Sequence, residues 1–133
     1  MAGQFGYELD LNKLSEDDFE EVKKQVAFYK SIRETVHQGD MYRICSPFDS
    51  KTRNTAWQFI SSDGKQVVMF DYTMSGKANP VLEHLKFEGL ESDSVYVDAE
   101  NGAEYFGDYL MEVGIPVRHK HDYDSAVYVL NKK

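Results

Sequence analysis

The sequence predicts a mainly β protein: an antiparallel β-sandwich of Greek-key type preceded by one long amphipathic α-helix. Three observations lead there. Only one stretch, from Glu16 to His37, carries apolar residues at sustained spacings of three and four. After Gly39, short apolar or alternating runs return about every ten residues. Gly, Asn, Asp, Ser and Pro punctuate them, as strand-joining turns require.

The chain opens with Phe5, Tyr7, Leu9 and Leu11 apolar at every second position and Gly6, Glu8 and Asp10 between them, the period of a strand with one buried face. Helix-start signals coincide at Ser15. Its hydroxyl is an N-cap, Asp18 stands three residues on to close a capping box, and Leu14 is placed to meet Phe19 as a hydrophobic staple. Phe19, Val22, Val26, Tyr29, Ile32 or Arg33, and Val36 then share one face, while Glu16, Asp17, Glu20, Glu21, Lys23, Lys24, Lys30 and Glu34 take the other. Acids fill the first turns and Lys30, Arg33 and His37 the last, which suits the helix dipole. Gly39, able to turn left-handed, should stop the helix near His37.

Met41 to Cys45 reads as the first strand of the sandwich, ended by Ser46-Pro47, and the polar stretch Phe48 to Thr55, with Lys51 and Arg53, as a loop. Trp57–Ser61 and Gln66–Met74 make a hairpin about Ser62-Asp63-Gly64-Lys65, because Asp-Gly supplies positive φ at low cost. In its second strand Val68, Phe70, Tyr72 and Met74 face one way, and Val67, Met69, Asp71 and Thr73 the other. Ser75 to Pro80, containing Gly76 and Asn79, breaks the strand. Leu85–Phe87, Val95–Val97 and Glu104–Phe106 are short strands, and Tyr109 to Val113 is a strand or a tight turn against the core. Ser125 to Leu130, nearly all apolar, suits a central strand buried on both faces.

A strand and an amphipathic helix are half of a βα unit, and no second unit follows. The residues Met1 to Leu11, Lys13-Leu14-Ser15 and Val26-Ala27-Phe28-Tyr29-Lys30 resemble the last strand and helix of the catalytic barrel of glycoside hydrolase family 36 α-galactosidases. Gly39-Asp40-Met41-Tyr42-Arg43, Ser46-Pro47, Asn54-Thr55-Ala56-Trp57, Leu85 to Leu90, Gly107 to Met111 and Gly114 resemble that family's C-terminal β-sandwich domain. The resemblance implies a division into residues 1–38, the end of the barrel, and 39–133, the C-terminal sandwich. It further implies a parent hydrolase acting on α-galactosides such as melibiose and raffinose, with the rest of the barrel as this chain's partner. In that family the nucleophile and the acid/base are aspartates on earlier barrel strands. No stretch here matches those motifs, so no catalytic residue is assigned, and no cofactor or metal is expected.

Composition bounds the alternatives. At 133 residues the chain is one domain's worth and too short to hold a complete α/β barrel. A net charge of −8 argues against nucleic acid, whose binding depends on lysine and arginine clusters. The single Cys45 excludes an intrachain disulfide and, with no basic-then-apolar leader, leads to the expectation of a reducing, cytoplasmic setting. No apolar run approaches the ~18 residues of a membrane span.

Candidate chemistry is sparse. Retaining glycoside hydrolysis needs two carboxyl groups about 5 Å apart across a cleft. Glu8 and Asp10, ~7 Å apart and side by side on one strand, do not converge in that way. His119 and His121, flanked by Asp122 and Asp124, alternate as two metal ligands do, yet in a polar loop they read as solvated; His37 and His84 have only bland neighbours. Cys45 reads as a structural thiol. Aromatic content is the remaining hint, with one Trp, nine Tyr and eight Phe. Trp57, Tyr105, Phe106, Tyr109 and Tyr123 are the residues that can stack on sugar rings if they face outward. Trp57 and Phe59 keep step with a buried face, which leaves Tyr105, Phe106 and Tyr109 as candidate substrate contacts. Three roles therefore stand: a structural or accessory domain, a sugar-binding sandwich, and an oligomerisation domain joined through residues 5–11. The last follows because an exposed Phe5–Leu11 face would forgo about 1.5–3 kcal/mol per large apolar side chain.

Overall fold

A computed structural model describes residues 1–48, 54–76, 83–117 and 121–133. Six strands make one antiparallel sheet: β1 (Asp40–Cys45), β2 (Asn54–Ile60), β3 (Gln66–Thr73), β5 (Val95–Asp98), β6 (Glu104–Phe106) and β8 (Ser125–Lys132), in the order β1-β2-β3-β8-β5-β6. β4 (His84–Leu85) and β7 (Ile115–Pro116) pair as a small second sheet. The long helix α1 (Glu16–Gln38) precedes β1, and a short helix α2 (Gly107–Glu112) follows β6. The last strand, β8, enters between β3 and β5, the non-sequential crossing that closes the fold.

Strand alternation gives the sheet two buried faces. Ala56, Ile60, Val67, Met69, Tyr128 and Leu130 turn toward Leu85, Phe87, Leu90, Leu110 and Ile115 of the second layer. Phe59, Val68 and Phe70 turn the other way, onto Ile32 and Val36 of α1. β8 is therefore central and contributes to both faces, with Tyr128 and Leu130 on one and Val127 and Val129 on the other. Between layers, the buried Gln58 amide imitates a ladder: Nε2 donates to Glu88 O at 2.5 Å and Oε1 accepts the Glu88 N–H at 3.1 Å.

Ser15 caps α1 as expected, its hydroxyl accepting the Asp18 N–H at 3.1 Å while Asp18 Oδ2 accepts the Ser15 N–H at 3.4 Å. The helix stop differs in kind. Gly39 is extended, at φ −82°, and a Cβ there would lie 2.3 Å from Ile60 O and 2.4 Å from Thr35 O. Glycine is needed at that point for close approach to β2, not for a left-handed turn.

Three further expectations change. Phe5 to Leu11 forms no strand, because no neighbouring strand among the described residues offers it hydrogen bonds; it lies along α1 instead. Phe5 packs 5.2 Å from Tyr29 and 5.1 Å from Tyr7, centroid to centroid. Tyr29 Oη donates to Gly3 O at 2.9 Å, the Tyr7 hydroxyl bonds to Gln25, and Met1 and Ala2 reach the Ile32 cluster. A 3₁₀ turn over Leu11–Lys13 then joins this segment to α1. β2 begins at Asn54, inside the stretch read as a loop, because Asn54 faces Thr73 across the ladder and accepts its hydroxyl at 3.0 Å. Tyr109 to Val113 is helical, neither strand nor tight turn: Gly107 and Leu110, one turn apart, are the buried pair that seats α2. Lys51, Arg53, Asn79, Pro80 and His119 lie outside the described residues.

Candidate functional site

Of the two carboxylates of the N-terminal segment, Asp10 serves local structure. Asp10 caps the 3₁₀ turn, accepting the Asn12 N–H at 3.1 Å, and lies 3.7 Å from Lys13 Nζ; Glu8 is exposed. Asp122 accepts the Gly76 N–H at 2.6 Å, and His121 is exposed. Among the described residues no group of three or more His, Cys, Asp or Glu is placed to hold a metal ion. His37 Nε2 lies 2.9 Å from Tyr29 Oη, at the point where the N-terminal segment meets α1. Half-buried Cys45 stands at the bulge where β1 loses register with β2.

The aromatic candidates separate. Trp57 stacks on Tyr72 at 5.3 Å and on Phe70 at 6.3 Å, within the layer beneath α1. Tyr123 is 81% exposed at φ +59°. Tyr105 and Tyr109 come together: their rings lie 6.0 Å apart and only 13° from parallel. Tyr105 sits on β6 and also touches the core cluster, whereas Tyr109 sits on α2 and is 43% exposed. Phe106, 60% exposed, does not join them, since alternation along β6 turns it to the side of Glu104.

The ground beneath the tyrosine pair is rigid. Gly107 presses on the chain so closely that a Cβ would lie 2.0 Å from Glu91 O, and its N–H donates to Ser94 O at 2.9 Å. Leu110 is fully buried, and its carbonyl accepts the Phe87 N–H at 3.0 Å. Asp108 Oδ1 accepts the Tyr109 N–H at 2.6 Å.

One titratable group escaped the sequence reading. Asp71 is fully buried on β3, between Ala56 and Ala126 of the flanking strands, and burial pushes its carboxyl up to about 7. The Tyr72 N–H opposes that shift and the charge of Glu83 adds to it. The signal was a lone acid in an otherwise apolar-alternating strand.

Comparison with known proteins locates this geometry. The family model described as glycosyl hydrolase family 36 C-terminal domain matches residues 54–130. The chain belongs to that family. A second model, described as Melibiase, matches residues 1–39, which hold the N-terminal segment and α1. Among family relatives, alpha-galactosidase AgaA of Geobacillus stearothermophilus is 38% identical over 131 residues, 98% of this chain and 18% of that protein. The crystal structure of alpha-galactosidase AgaB from the same organism superposes with a TM-score of 0.88 at 35% identity, covering 99% of this chain and 18% of that one. An AgaA variant of Geobacillus stearothermophilus solved in complex with raffinose gives 0.87 at 35% identity, covering 99% and 18%. The chain thus spans less than a fifth of the length of these relatives.

Proposed function

We propose that this chain is the C-terminal part of an α-galactosidase acting on α-galactosides such as melibiose and raffinose, and that its role there is structural or accessory. Residues 1–38 complete the catalytic barrel and 39–133 form the sandwich that packs against it; the catalytic carboxylates stand in the preceding segment.

The observation that carries this reading is the split burial of α1. Its last turns are locked to the sheet through Ile32, Thr35 and Val36, while further toward its start Phe19 is exposed on the apolar face and Phe28, half a turn round the helix, on the opposite face; Tyr7 and Leu9 of the N-terminal segment are exposed as well. A helix that leaves phenylalanines uncovered on two faces is built to meet further bodies. Both lie within the Melibiase match, which favours the barrel as such a body. Hydrogen exchange tests it. In this chain amides of residues 16–28 should exchange faster than those of 29–38, and the difference should disappear when the chain is extended upstream through the barrel. Equal protection along α1 in both proteins would overturn the reading. Self-association through residues 5–11 competes for the same exposed Tyr7 and Leu9. A dimer of this chain that Leu9→Ser dissolves would favour it instead.

A further inference from the structure

We propose that the Tyr105–Tyr109 pair, with Glu112 and Asp108 beside it, is a surface site for a neutral hexopyranose, a galactosyl unit. The choice of galactosyl rests on the α-galactosidase reading; the site itself rests on geometry. A pyranose offers a flat patch of C–H bonds ringed by hydroxyls, and its complement is an exposed aromatic face with hydrogen-bond acceptors at its rim. Tyr109 supplies the face. Tyr105, nearly parallel behind it at 6.0 Å, fixes its tilt, so little side-chain freedom is lost on binding. Val113, four residues on and 43% exposed, extends the same helix face with aliphatic surface.

Charge selects the ligand class. The ionisable side chains of α2 other than Tyr109 are Asp108 and Glu112, both acidic and both exposed. Carboxylates accept from sugar hydroxyls and repel phosphorylated or acidic ligands, so a neutral polyol fits where an anion does not. The axial hydroxyl of galactose leaves one ring face unusually apolar, and that face is the one to stack on Tyr109. Anchoring of α2 by Gly107 and Leu110 holds the platform ready-formed.

The test is NMR titration of this 133-residue chain with raffinose, with saturation transfer read on the sugar and amide shifts on the protein. Galactosyl ring protons should receive the strongest transfer, and Tyr105, Asp108, Tyr109 and Glu112 should shift at millimolar sugar. Tyr109→Ala should weaken binding about tenfold, the order expected from losing one stacking face. Tyr109→Phe should retain it. Phe106→Ala, on the other side of β6, should change nothing and controls for folding. Silence at millimolar raffinose, shifts centred elsewhere, or equal binding by the Tyr109→Ala chain would overturn the site. Silence here together with hydrolysis by the upstream-extended protein would remove this site alone. Binding here without hydrolysis by the extended protein would remove the α-galactosidase reading and leave the site standing.

Discussion

Asp71 shows how far one side chain can set the pH response of the fold. Its carboxyl is raised from an ordinary 3.8 to about 7 by burial, so the native state keeps a proton that the unfolded chain releases. The contribution of Asp71 to stability is then fullest below about pH 4, falls as pH rises toward about 7, and is flat beyond, the slope following the difference in bound protons. The whole effect is on the order of 4 kcal/mol, at about 1.4 kcal/mol for each tenfold change in proton affinity. The urea midpoint of the native sequence, taken relative to that of Asp71→Asn at each pH, should decline across this range; parallel curves would contradict the assignment. A steric case is Gly107, where a Cβ would lie 2.0 Å from the Glu91 carbonyl. Gly107→Ala should cost about 3 kcal/mol, as overpacking against backbone does, and a calorimetric melt reads it.

Among the elements, α1 divides into a half that belongs to the sandwich and a half that does not. Phe19→Ser with Phe28→Ser should leave this chain within about 0.5 kcal/mol of its native stability, because both rings are exposed here. The same pair should lower the melting temperature of the upstream-extended protein. Ser15→Ala should cost about 1 kcal/mol by releasing the Asp18 N–H, seen as fraying of the first turn. These elements also show what was legible in the sequence. The capping box and the β2–β3 hairpin rest on residues close in the chain, so local signals suffice. The strand read at Phe5–Leu11 needed a neighbour that only the whole fold could grant, and the segment settled on Tyr29 instead. α2 is too short for a period to declare itself, which hid the meeting of Tyr105 and Tyr109: a strand ending at Phe106 and turning at once into a helix brings them together. Asp71 looked like one more alternating position because burial of both its flanks depends on β8, over fifty residues away in sequence.

At the scale of the whole molecule, a mainly β sandwich stands with a helix half-attached to it. One sheet face is covered by the layer of β4, β7 and α2, and the other by the last turns of α1 and the N-terminal residues. What stays apolar and uncovered on α1 lies within the segment matched by the Melibiase model. On the proposed reading, a domain so built would lend shape and surface to an enzyme whose reacting carboxylates stand in the preceding segment. The most direct measurement is release of the chromophore from a chromogenic α-galactoside by this purified chain, beside the same chain extended upstream through the barrel. Activity in the extended protein alone is the expected result. Hydrolysis by the 133-residue chain itself would contradict the account, and would send the search for the catalytic pair back to Glu8, Asp10 and the buried Asp71.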